Sequence, residues 1–256
     1  MIQMLDAKDF TVFVTGATSG IGQATCRRFA QAGAKVIATG RRTDRLQALA
    51  RELGSACHIA ALDVRDRVAV EAVVAALPQN FRAVNVVVAN AGIAASMLPA
   101  QDADLPDWED TVATNINGLL YTVHALLPGM VARDEGHVVL VGSIAGDYPY
   151  PGGNVYGGSK AFVKQFALGL RADLLGANIR VTNIEPGMTE TDIMLVRFRG
   201  DPERKAKVYE GMTPMTPEDV AETIFWSCTL PRHLNINRMQ MQPVMQAFGP
   251  IAAKRR

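Results

Sequence analysis

Long apolar runs are missing from this chain. No stretch approaches the roughly 18 residues that a membrane-spanning helix requires, although 48% of its 256 residues are hydrophobic. That composition suits a globular protein with a large core. An excess of either charge is missing too. The 26 Lys and Arg residues against 25 Asp and Glu leave a net +1, so no nucleic-acid partner is expected. Cysteine is scarce. Cys26, Cys57 and Cys228 are odd in number and widely spaced, which suggests neither a disulfide framework nor a metal site. Reduced thiols in a cytoplasmic protein are the expectation. His58, His124, His137 and His233 have no partners at metal-ligand spacing, so no metal is expected. The opening MIQMLDAKDF lacks a basic start followed by an apolar stretch, so no signal peptide is expected. The closing KRR reads as a solvated tail. No linker, repeat or low-complexity segment interrupts residues 1–256, which read as one domain.

What is present is an alternation. Short β-branched runs predict strands over 11–16, 35–40, 58–64, 84–92, 137–143 and 179–187, with a closing strand over 238–244. Helical patterns fall between them, over 21–33, 43–54, 67–78, 108–133, 154–176 and 217–231. Thr43 is a candidate N-cap, and Gly33 and Gly54 are helix stops. Strands alternating with helices predict an α/β fold: a doubly wound parallel sheet of about seven strands, with helices on both faces. Residues 188–216 fit no element. They carry two prolines and several methionines, and read as a candidate substrate lid.

The first strand runs into TGATSGIG, residues 15–22, which opens a helix. Glycines at a strand-to-helix turn let the backbone approach a pyrophosphate, which the helix N-terminus attracts. Gly16, Thr18, Ser19, Gly20, Ile21 and Gly22 are therefore candidate cofactor contacts. An NAD site wants an acidic residue about 20 positions on. None occurs from Gln23 to Thr43; Arg41 and Arg42 follow the second strand instead. Arginine grips a 2′-phosphate that an acid would repel. The cofactor expected is NADP(H), with Arg41 the favoured partner of the two. Asp63 and Val64 end the third strand and are placed at an adenine edge; Asn90, Ala91 and Gly92 end the fourth, near a ribose.

In VYGGSKAF, Tyr156 precedes Lys160 by four residues. That spacing puts a phenol and an ammonium on one helix face. Taken alone the pair is a weak signal. With T-G-x-x-x-G-I-G at 15–22, N-A-G at 90–92, Asn115, Ser143 and Pro186-Gly187, the chain resembles the short-chain dehydrogenase/reductase family over nearly its whole length. Ala89 departs from the N-N-A-G that many members carry. VIATGRR, GGNVYGGSKAFVKQF, LVRFRGD and NINRMQMQPV resemble its NADP-dependent 3-hydroxy acid dehydrogenases, a cytosolic, typically homotetrameric group.

The resemblance implies a Rossmann fold and a tetrad of Ser143, Tyr156, Lys160 and Asn115. Tyr156 would be the acid/base, its phenolate favoured by Lys160 and the oxidised nicotinamide. Ser143 would hydrogen-bond the substrate oxygen. Lys160 would also hold the nicotinamide ribose, and Asn115 a helix distortion and a relaying water. Pro186, Gly187 and Thr191 would meet the nicotinamide. The substrate implied is a small 3-hydroxy acid such as serine, allo-threonine or 3-hydroxypropionate. Its carboxylate wants a cation, and Arg197 or Arg199 in the candidate lid is positioned to supply one. Gly153 and Asn154 are candidate pocket residues, the glycines leaving room for a small substrate. Two alternatives remain open: carbonyl reduction of another ketone, diketone or 3-oxoacyl compound, and a non-catalytic NADP-binding regulator.

Overall fold

The computed structural model describes residues 3–248, so the closing KRR lies outside the described residues. One seven-stranded sheet runs in the order β3-β2-β1-β4-β5-β6-β7. The strands are β1 Thr11–Val14, β2 Lys35–Gly40, β3 Cys57–Ala61, β4 Val86–Ala89, β5 Gly136–Val141, β6 Ile179–Pro186 and β7 Arg238–Met241. Every pairing is parallel, for example Val12 with Val36 on one side and with Val86 on the other. The central strands β1 and β4 are buried on both faces, which is why their sequences, TVFV and VVVA, are apolar without alternation. The expected doubly wound α/β fold is the one found.

The helices are α1 Gly20–Gln31, α2 Thr43–Leu53, α3 Arg67–Ala75, α4 Leu105–Val112, α5 Gly118–Arg133, α6 Asn154–Asp173, α7 Ile193–Arg197, α8 Pro202–Tyr209 and α9 Pro217–Thr229. Two cores result. Val70 of α3, Val123 of α5 and Val163 of α6 pack on one face of the sheet. Phe29 of α1, Leu49 of α2 and Ile224 of α9 pack on the other. The chain lays β1, β2 and β3 outward in one direction, then returns to place β4 on the other side of β1. A crevice opens outside the carboxyl ends of strands at such a reversal.

Several boundaries differ from expectation. β3 stops at Ala61 rather than residue 64, because its partner β2 ends at Gly40, which pairs with Ala61. β4 is shorter than 84–92 at both ends. The helical region expected over 108–133 starts at Leu105 and is broken by a π-helical turn, Ala113–Asn117. Thr43 is the first helical residue rather than the cap; Arg42 takes the cap position, without a side-chain cap bond. The candidate lid contains two short helices, α7 and α8. Asp201 caps α8 by accepting from Glu203 and Arg204 backbone N–H groups, with Pro202 at the first turn.

Candidate active site

The crevice is a cavity of about 610 Å³. One end is built by the glycine turn. Gly16 and Gly20 adopt φ of +68° and +51°, which disfavour a side chain. A Cβ on Gly22 would lie 2.4 Å from the Gly16 carbonyl oxygen and 2.5 Å from Asn90 Nδ2. Gly22 therefore serves backbone packing and does not line the cavity. Asn90 Nδ2 donates to the Thr15 carbonyl at 2.9 Å, and Thr15 Oγ1 accepts from Asn90 and Ala91 N–H at 3.0 Å each. The turns after β1 and β4 are thus locked together, and Gly16, Thr18, Ser19, Gly20, Ile21, Asn90, Ala91 and Gly92 all face the cavity.

Arg41 and Arg42 line the same end, as do Asp63 and Val64. Arg42 donates to Thr18 Oγ1 at 3.0 and 2.7 Å and to Ser19 Oγ at 2.7 Å. Burial first, then the charge of Arg45, lowers its pKa; Asp192 partly offsets this. Arg41 is exposed at the rim and makes no side-chain hydrogen bond or ion pair among the described residues. Asp63 is forked to Arg65, whose hydrogen bonds hold its carboxyl below the ordinary range.

The other end holds the reactive groups. Tyr156 and Lys160 rise from the first turns of α6, and Ser143 follows β5. All three line the cavity, together with Pro186, Gly187 and Thr191. Lys160 Nζ donates to the Val141 carbonyl at 2.8 Å and lies 5.7 Å from the Tyr156 ring centre. Burial pulls its pKa down to about 8. Burial also raises the Tyr156 pKa above its ordinary value, outweighing the nearby Ser143 hydroxyl and the charge of Arg197. Lys160 Nζ is turned to the Val141 carbonyl and makes no hydrogen bond to the Tyr156 hydroxyl.

Asn115 sits in the π-helical turn, buried behind the cavity wall. Its Oδ1 accepts from Ile93 N–H at 2.8 Å. Its Nδ2 donates to Ile93 O at 2.9 Å and Ser159 Oγ at 3.0 Å. Ser159 in turn donates to the Tyr156 carbonyl at 2.7 Å. The distorted turn, the loop after β4 and α6 are pinned at one point. Nothing local in YGGSK marks Ser159 for this contact, because its partner Asn115 lies 44 residues away.

The four substrate candidates beyond Ser143 separate. Arg197, at the end of α7, is 9% exposed and lines the cavity. Its Cζ lies 5.2 Å from the Tyr156 ring centre, and its Nη2 donates to Tyr150 Oη at 2.9 Å. Its Nε is buried without a partner. Arg199, two residues on, points the other way. It is exposed and pairs with Asp104 and Asp107 at 2.7 and 3.5 Å, outside the cavity. Gly153 gives the substrate no room, since the Tyr150 ring occupies that space. Asn154 is exposed and accepts from Val155 N–H at 2.7 Å. Gln246 was not foreseen: it lines the cavity and accepts from Met188 N–H at 2.8 Å. Nothing local in MQPVMQAF marks it.

A model of the short chain dehydrogenase family matches residues 10–200. The chain belongs to the short-chain dehydrogenases. It is 52% identical over 245 residues to the NADP-dependent 3-hydroxy acid dehydrogenase YdfG of Salmonella typhi, covering 95% of this chain and 99% of that one. It is also 52% identical over 239 residues to the serine 3-dehydrogenase of Agrobacterium fabrum, covering 93% and 96%. The closed form of a serine dehydrogenase complexed with NADP+ superposes with a TM-score of 0.94 at 50% identity, covering 96% and 99%. In this short-chain dehydrogenase, Asn115, Ser143, Tyr156, Lys160 and Thr191 all fall inside the matched span.

Proposed function

We propose that this short-chain dehydrogenase interconverts a small 3-hydroxy acid and its 3-oxo acid with NADP(H). The observation that carries the reading is Arg197. A guanidinium 9% exposed, with an unpartnered buried Nε, stands 5.2 Å from the ring of the acid/base tyrosine. Arg197, Tyr156 and Ser143 line one cavity, so a carboxylate held by Arg197 would keep a hydroxyl two carbons away from the carboxyl carbon in the space those residues share. Burying a cation without an anion is costly, and a substrate carboxylate is the missing partner. A neutral ketone or a 3-oxoacyl thioester uses that cation less well. The names of the relatives at 52% identity agree with this substrate class.

The cofactor end fits NADP(H). Gly16 and Gly20 line the cavity at positive φ without side chains, so backbone can meet a pyrophosphate. Arg41 and Arg42, with the Thr18 and Ser19 hydroxyls, are suited to a 2′-phosphate. Asp63 would accept from the adenine, and Pro186, Gly187 and Thr191 would meet the nicotinamide. When bound, NADP(H) supplies or accepts the hydride. Tyr156 Oη takes the hydroxyl proton in oxidation and returns it in reduction. Ser143 Oγ orients the substrate oxygen and stabilises its developing charge. Lys160, charged below about pH 8, holds ribose hydroxyls and favours the phenolate.

The assembly we propose is a homotetramer in the cytoplasm. Exposed Val112, Val131 and Leu168 on α4, α5 and α6 support self-association, and a monomer by light scattering would refute it. No helix among the described residues is long and apolar enough to cross a membrane. The decisive assay is NADP+ reduction at 340 nm with L-serine, L-allo-threonine and 3-hydroxypropionate, beside NAD+ and beside Tyr156→Phe. Turnover with NADP+ that disappears in the variant is expected. Silence on all three acids, with reduction of simple ketones by NADPH, would overturn the substrate assignment.

A further inference from the structure

Tyr150 stands outside the tetrad, yet it shapes the substrate end. Its loop closes with a turn in which Gly153 N–H donates to the Tyr150 carbonyl at 3.0 Å. The Tyr150 ring folds back over Gly153. A Cβ there would lie 2.5 Å from Cζ and 2.6 and 2.7 Å from the two Cε atoms. The backbone of Gly153 has φ −91° and ψ 12°, which other residues also adopt. The absence of a side chain at Gly153 leaves the space that the Tyr150 ring fills, and a Cβ there would push the ring away.

Seated in this way, the ring presents its hydroxyl to Arg197, which belongs to a different element. Tyr150 Oη accepts from Arg197 Nη2 at 2.9 Å. Nη1 reaches only the Met194 sulfur at 3.9 Å, and Nε has no partner. The Tyr150 hydroxyl is the one oxygen that holds this guanidinium among the described residues. Arginine has several rotatable bonds, and fixing it before the substrate arrives removes an ordering penalty from binding.

We propose that Tyr150 is a positioning residue, seated on Gly153, that holds Arg197 in place for a substrate carboxylate while leaving Nη1 for the anion. The proposal rests on the reading of Arg197 as the carboxylate partner. Its test compares 3-hydroxypropionate with 1,3-propanediol, which carries a neutral CH2OH in place of the carboxylate, at saturating NADP+. The proteins are wild type, Tyr150→Phe, Gly153→Ala and Arg197→Met. Tyr150→Phe removes only the acceptor, and Gly153→Ala displaces the ring without removing any polar atom.

Both should raise KM for the acid about tenfold relative to the diol, the scale of one charge-assisted hydrogen bond. The kcat for the acid should change much less than its KM. Competitive inhibition by propionate gives the same comparison without diol turnover, its Ki rising about tenfold in both variants. If Arg197→Met loses acid selectivity while Tyr150→Phe and Gly153→Ala keep the wild-type acid-to-diol ratio and propionate Ki, the Arg197 reading stands and this proposal falls. If Arg197→Met moves acid and diol equally, the carboxylate reading itself falls. A loss of kcat on both substrates in Tyr150→Phe, with no shift in the ratio, would make Tyr150 a structural support for α6 and refute the positioning role.

Discussion

Lys160 should destabilise the protein it serves. Its side chain is buried, and burial lowers its pKa from 10.5 to about 8. A Lys whose folded pKa lies below its unfolded one binds protons less readily when folded, so stability rises with pH between the two values. Below pH 8 the folded ammonium carries the full penalty; above 10.5 there is none. At about 1.4 kcal/mol per pKa unit, the gap amounts to roughly 3 kcal/mol at pH 7 and about 1 kcal/mol at pH 9.5. Replacement by Met keeps the apolar stem and deletes the charge. It also strands the Val141 carbonyl, which Nζ now satisfies at 2.8 Å, a loss of about 1 kcal/mol. Lys160→Met should therefore be inactive yet more stable by about 2 kcal/mol at pH 7. That advantage should be gone by about pH 9.5. Urea unfolding of both proteins without nucleotide, at the two pH values, measures this. A variant no more stable at pH 7, or an advantage that does not shrink as pH rises, would refute the reasoning.

Three further outcomes are expected. Gly22→Ala puts a Cβ 2.4 Å from the Gly16 carbonyl oxygen; it should weaken NADP+ binding by calorimetry and cost about 1–3 kcal/mol in urea unfolding. Arg199→Ala removes an exposed cation paired to Asp104 and Asp107, so KM for 3-hydroxypropionate should stay within about twofold, whereas Arg197→Met should raise it at least about tenfold. Comparable effects would overturn the assignment of the two arginines. Burial pushes the Cys228 thiol up to about 12 and Cys57 to about 11, and raises Cys26 as well. Native protein should therefore react slowly with a thiol-directed disulfide reagent at pH 8 and rapidly in urea; fast native labelling would contradict the burial.

Much of the fold was legible because its signals are local. β-branched runs mark strands, and Gly33 and Gly54, at φ of +89° and +62°, mark helix ends. The four-residue spacing of Tyr156 and Lys160 already places them on one helical face. Strand ends were less legible. β3 was read three residues too long because LDV looks like strand sequence, and only the end of β2 at Gly40 stops the ladder. The π-helical turn at Asn115 was also out of reach from the residues alone. It is stabilised by Ile93 and Ser159, which are 22 and 44 positions away.

The sequence by itself determined the alternating α/β order, the glycine cradle with arginines in place of an acid, and the presence of a tyrosine–lysine pair. These depend on backbone conformation and near-neighbour spacing, which a chain carries wherever it goes. Only the tertiary structure decided which of Arg197 and Arg199 faces the cavity, and that the space at Gly153 belongs to Tyr150 rather than to a ligand. Two arginines in one short lid are equivalent as sequence. They become different when one is buried beside Tyr150 and Tyr156 and the other meets Asp104 and Asp107 at the start of α4. Of these, Tyr150 and Asp104 lie 47 and 95 residues away, and their positions are set by how the helices pack on the sheet.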